Sequence, residues 1–127
     1  MKFLLDTHTF IWWDSDPSKL SKKALDLLLN QENTRLVSVV TLWEIQIKTQ
    51  LGKLTLNQPL AKIINNQQKN RIEFIGVQVN HILELEQLPL YHKDPFDRLL
   101  IAQAKAENAI LVSRDPVFSN YTIDIEW

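Results

Sequence analysis

A chain of 127 residues, 45% hydrophobic and 23% charged, is long enough for one buried core and too apolar to be disordered. The absence of cysteine excludes a disulfide framework, a thiolate metal site and a cysteine nucleophile. A net charge of −1, from 14 basic and 15 acidic residues, gives no overall attraction for polyanions, so any nucleic-acid partner needs a local basic patch or bridging cations.

The apolar opening MKFLLDTHTFIWW is broken by Asp6 and His8 and does not read as a signal peptide. No run reaches the ~18 apolar residues of a membrane span. A cytoplasmic location without membrane attachment is expected.

In chain order, residues 3–5 read as a short buried strand ending at Asp6, followed by a short helix or turn that Pro17 closes. Residues 18–30 place Leu20, Ala24, Leu27 and Leu28 on one helical face. After a polar loop, Leu36 and Val37 form a second strand, and Ser38 caps the helix VVTLWEIQIKTQLGKL, which ends at Gly52. A helix from Pro59 to about Asn70, a strand over 72–79 and a short helix HILELEQL come next. Asp94-Pro95 opens the helix PFDRLLIAQAKAEN, followed by the strand AILVS, the loop RDPVFSNY and a short edge strand in YTIDIEW. Alternating strands and helices predict a single α/β domain, a parallel sheet between helix layers with right-handed crossovers.

In such sheets functional groups gather beyond the carboxyl ends of the strands. Asp6, Glu44, Asp97 and Asp115 all fall at that edge. Each has an ordinary alternative. Asp6 can cap the next helix, and Asp115-Pro116 can form a turn. Glu44 precedes Lys48 by four residues, the favourable order for an ion pair, yet it lies on a helix that is apolar nearly all round. Asp94 with Pro95 is a strong helix start, whereas Asp97 is too short for a good capping box. Four acids converging on one edge repel one another unless cations join them. An oxygen-only donor set suits Mg²⁺ or Mn²⁺, which activate water and stabilise the leaving oxygen in phosphodiester cleavage.

Four segments in this order, FLLDTHTFIWW, SVVTLWEIQIKTQLGKL, LPLYHKDPFDRLLIAQA and ILVSRDPVF, resemble the PIN-domain nucleases, in particular the VapC-like toxins of type II toxin–antitoxin pairs. The segment between about Leu54 and Leu85 matches by pattern only. The resemblance implies a single PIN-like domain over 1–127, a three-layer α/β/α fold around a parallel sheet of four to five short strands. It implies Mg²⁺- or Mn²⁺-dependent endoribonuclease activity, a cognate antitoxin partner and a homodimer. Carried over by position, Asp6, Glu44, Asp97 and Asp115 are the catalytic, metal-holding acids, with Asp94 an auxiliary or capping residue. Thr7, Ser38 and Ser113 stand where polar groups orient ligands or waters.

Arg98 and Arg114, each beside an acid, are the preferred RNA-binding residues, ahead of Lys48, Lys53 and Lys93 on the expected rim. His8, His81 and His92 show no metal-ligand spacing, and Trp12, Trp13 and Trp43 are expected in the core or a dimer contact. Two other readings compete: an idle PIN-like module that binds RNA or protein, and a haloacid-dehalogenase-type phosphohydrolase. The second needs an aspartate where this chain has His8.

Overall fold

The computed structural model describes residues 1–127. Its elements are β1 (Lys2–Leu5), α1 (Thr7–Ser15), α2 (Lys22–Leu29), β2 (Thr34–Ser38), α3 (Val39–Gln50), α4 (Leu60–Lys69), β3 (Ile72–Ile75), α5 (Val79–Glu84), α6 (Pro95–Ala106), β4 (Ile110–Val112) and β5 (Ile125–Glu126). The sheet runs β3-β2-β1-β4-β5, and every neighbouring pair is parallel. The chain therefore steps outward from β1 to β3 and then returns to the other side of β1. That reversal leaves a crevice at the carboxyl ends of β1 and β4, where Leu5 pairs with Val112.

Alternation along the strands builds one core on each face. Phe3 and Leu5 of β1 join Phe10, Ala24, Leu28, Ile45 and Ile63 from α1 to α4. Leu4 points the opposite way, into a layer with Leu36, Leu111, Phe118 and Leu100, Ile101 and Ala104 of α6. Central strands buried on both faces require continuous apolar runs, which FLL, LV and ILV supply. The three-layer expectation holds, with five strands.

Several boundaries differ from the sequence reading. Residues 18–30 do not form one helix: Pro17–Lys19 is a 3₁₀ turn, and Ser21 then caps α2 by accepting from the Ala24 amide at 3.0 Å. The third strand stops at Ile75 instead of 79, because Gly76 follows and α5 begins at Val79. The segment read as the loop RDPVFSNY contains a 3₁₀ turn, Pro116–Asn120, started by Asp115 and Pro116. Fully buried His81 is structural: its Nδ1 accepts from the Gln78 amide at 3.0 Å and its Nε2 meets Glu107 at 3.1 Å.

Phe10 carries much of the first core; it is 1% exposed and meets Phe74 edge-on at 6.0 Å. Phe10→Ala should destabilise the chain by about 3–5 kcal/mol in urea unfolding, with the denaturant slope unchanged. A loss below about 1 kcal/mol would contradict this packing.

Candidate functional site

Asp6 stands where β1 meets the crevice. Its amide donates to the Val112 carbonyl at 3.2 Å, which ties the strand end to β4. One carboxylate oxygen accepts from the Thr9 amide at 2.9 Å and caps α1; the other accepts from the Ser113 hydroxyl just past β4. Thr9 donates its own hydroxyl to the Val112 carbonyl at 3.0 Å, closing the junction. Asp6 is 5% exposed, and burial pushes its pKa up against the bonds from Ser113 and Thr9. The capping role and a ligand role are compatible: the cap uses one oxygen.

Glu44 approaches from α3, which Ser38 caps by accepting from the Val40 amide at 3.1 Å. Buried Glu44 has a partner on each oxygen: the Thr7 hydroxyl at 2.7 Å and Lys48 Nζ at 2.6 Å. The i, i+4 ion pair is thus present, in a setting where an unpaired carboxylate would be costly.

Asp94 accepts from the Asp97 amide at 3.0 Å with Pro95 in the first turn, which makes it the cap of α6. Asp97 instead turns toward His92, whose Nε2 lies 2.7 Å from Oδ2. Burial raises the Asp97 pKa from 3.8 to about 6; His92 opposes the shift, and Asp94 and Glu44 add repulsion. α3 and α6 pack together, which brings their acids within electrostatic reach. His92 is itself anchored, its amide donating to the Tyr121 hydroxyl at 2.8 Å. Sequence reasoning set His92 aside as isolated. No periodicity relates a loop residue to a side chain beyond a proline-started helix, so no spacing signal marked it.

Asp115 accepts from the Val117 amide at 3.0 Å, while its own amide donates to Ser113 at 3.1 Å. With Asp6, His8, Trp12, Arg114 and Pro116 it lines an open cavity of about 300 Å³. Arg114 therefore stands at the crevice as expected. Arg98 does not present a free guanidinium: it donates to the carbonyls of Pro89 at 2.9 Å and His92 at 3.4 Å, and so secures the loop before α6. Trp43 is not core; it is 61% exposed and meets Phe96 edge-on at 5.2 Å.

The four acids share one edge but are not gathered into a closed cage: no three His, Asp or Glu side chains are grouped to hold a single ion. Asp6 and Asp115 share a cavity, and Glu44 and Asp97 repel each other. The donors are all hard oxygens. That set fits Mg²⁺ or Mn²⁺, because Mg²⁺ retains waters and takes only one or two carboxylates.

The PIN domain profile matches residues 3–123, and the chain belongs to that family. No curated protein matches the sequence significantly. Among solved structures, the fold is similar to a chain of VapBC2 from Rickettsia felis bound to a promoter DNA fragment, at 20% identity, 99% and 98% coverage of the two chains and a TM-score of 0.74. A DNA-bound VapBC from Salmonella typhimurium matches at 18% identity, 99% and 97% coverage and a TM-score of 0.71. VapBC-1 from nontypeable Haemophilus influenzae matches at 16%, 99% and 97%, with a TM-score of 0.65.

Asp97 takes up its proton near pH 6 when folded and near its ordinary 3.8 when unfolded. The stability linked to that proton is fully present below the unfolded value and is lost as pH rises through about 6. In chelator, Asp97→Asn should therefore raise Tm above wild type at neutral pH, with the gain shrinking as pH falls toward 3.8. A gain that grew on acidification would contradict the assignment.

Proposed function

We propose that the chain is a Mg²⁺- or Mn²⁺-dependent endoribonuclease, the toxin of a toxin–antitoxin pair. The observation that carries this reading is Asp6, a 5% exposed carboxylate at the sheet's switch point, held by a hydroxyl and an amide and paired with no lysine or arginine. A charge buried this way calls for a cation. Asp6, Glu44, Asp97 and Asp115 are the groups to hold one or two such ions, largely through water, and Asp94 serves as the helix cap. When bound, the ion supplies a Lewis acid that makes water a better nucleophile and neutralises charge at the scissile phosphate.

The chain's own groups prepare that chemistry. Ser113 and Thr7 fix the carboxylates of Asp6 and Glu44, and His92 fixes that of Asp97. The N-termini of α1 and α6 favour ionised acids at Asp6 and in the first turn, at Asp97. Arg114, exposed beside Asp115, offers a cation to a phosphate.

The structural likeness to VapBC toxin–antitoxin complexes supports a cognate antitoxin for this chain, while a homodimer, and a partner arginine that competes with metal for the acids, follow from the family resemblance alone. No helix is long and apolar enough to cross a membrane. A dehalogenase-type reading lacks its second acid, since His8 occupies that position.

The test is cleavage of single-stranded RNA with Mg²⁺ or Mn²⁺, with and without chelator. Asp6→Asn keeps a capping side chain for α1, so the fold should persist. Cleavage should require the cation and fall by about 100-fold or more in the variant. Undiminished, chelator-resistant cleavage would sink the assignment.

A further inference from the structure

Beside the acids, on the far side of His8 and Trp12, lies a second open cavity of about 470 Å³. Lys19, Lys48 and Lys53 line it, together with Thr7, His8 and Trp12, and no carboxylate does. Lys48 faces both regions, since it also pairs with Glu44 at 2.6 Å. Lys19 and Lys53 form no ion pair. Lys53 is brought there by the turn that ends α3: Gly52 adopts φ +72°, and the Lys53 amide donates to the Lys48 carbonyl at 2.9 Å. A left-handed residue at that position favours glycine.

The ridge between the two cavities is aromatic. The His8 and Trp12 rings lie 5.8 Å apart, and Trp12 is backed by Trp127, also at 5.8 Å. Trp12 is half-buried, so its indole is anchored at one side and reachable at the other. Cations in a groove beside an anchored ring are the two elements that hold single-stranded nucleic acid: backbone charge neutralisation and base stacking.

We propose that this cavity is an RNA subsite for a nucleotide adjoining the one cut. Lys19 and Lys53 take its phosphates, beside Lys48 that Glu44 holds, and Trp12 with His8 takes its base. The proposal rests on the nuclease reading above and identifies how a chain of net charge −1 holds a polyanion. Only an unstacked strand offers a base face to the ridge, so the subsite selects single-stranded over duplex RNA. A second basic cavity, around Arg35, Lys69 and Arg71, provides the internal comparison. It sits at the amino ends of β2 and β3, away from the acids, and Arg35 there donates to the Leu28 and Asn70 carbonyls.

The experiment measures binding of a fluorescein-labelled single-stranded oligoribonucleotide by anisotropy, in chelator, across a salt series, for the full chain and two double variants. Lys19→Gln/Lys53→Gln should weaken binding and reduce the slope of log K against log salt by about 1.4, two phosphate contacts at ~0.7 each. Lys69→Gln/Arg71→Gln should leave the slope unchanged. Trp12→Phe, which keeps a ring, should bind more tightly than Trp12→Leu, with circular dichroism verifying that both fold. An unchanged slope in the Lys19/Lys53 variant, while wild type still cleaves RNA with Mg²⁺, overturns the subsite alone and leaves these lysines to a protein partner. A slope that falls only in the Lys69/Arg71 variant overturns it equally. A wild-type chain that neither binds nor cleaves RNA overturns the subsite and the nuclease reading together.

Discussion

In its proposed role Asp6 is ionised to hold a cation, while the fold buries it, and these demands oppose each other. Burial alone drives the carboxyl toward its neutral form. The fold answers with a hydroxyl from Ser113, an amide from Thr9 and the N-terminus of α1. The amide and the helix follow Asp6 directly in the chain, whereas the Ser113 hydroxyl reaches it because β1 and β4 are neighbours, at the point where strand order reverses. The chemistry at this edge follows from the topology that leaves the crevice open.

The same solution recurs at the other acids, with different donors. Lys48 and Thr7 occupy the oxygens of Glu44, His92 occupies one oxygen of Asp97, and the Val117 amide meets Asp115. Without such donors, neighbouring carboxylates would unfold or protonate the edge. The donors hold the acids apart as separate pairs rather than as a cage, an arrangement that suits a hydrated ion needing few protein ligands.

Much of this was legible in the sequence. Runs such as FLL and ILV show strands buried on both faces, and Ser38, Asp94-Pro95 and Gly52 mark helix ends by their own chemistry. The position of Asp6 was legible because an acid closing an apolar strand lies beyond its carboxyl end, and those of Glu44 and Asp97 because each falls in an early turn of a helix that starts at that edge. Contacts that depend on loop path were not legible. The approach of His92 to Asp97 and the turning of Arg98 onto backbone carbonyls arise from the path of the loop before α6, and exposed Trp43 meets Phe96 of α6 edge-on. Neither helical nor strand periodicity encodes that path. The lysine cavity likewise joins Lys19 to Lys53 across the fold, and whole-chain charge conceals it.

The central claim is that these acids exchange their protons and internal partners for a divalent cation. Isothermal titration of Mn²⁺ near pH 6, in buffers of different ionisation enthalpy, tests it directly, because Asp97 is half-protonated there. The account predicts saturable binding with net proton release that diminishes at higher pH, and marked weakening in both Asp6→Asn and Asp97→Asn. Absence of binding, or binding that neither substitution alters, would contradict it.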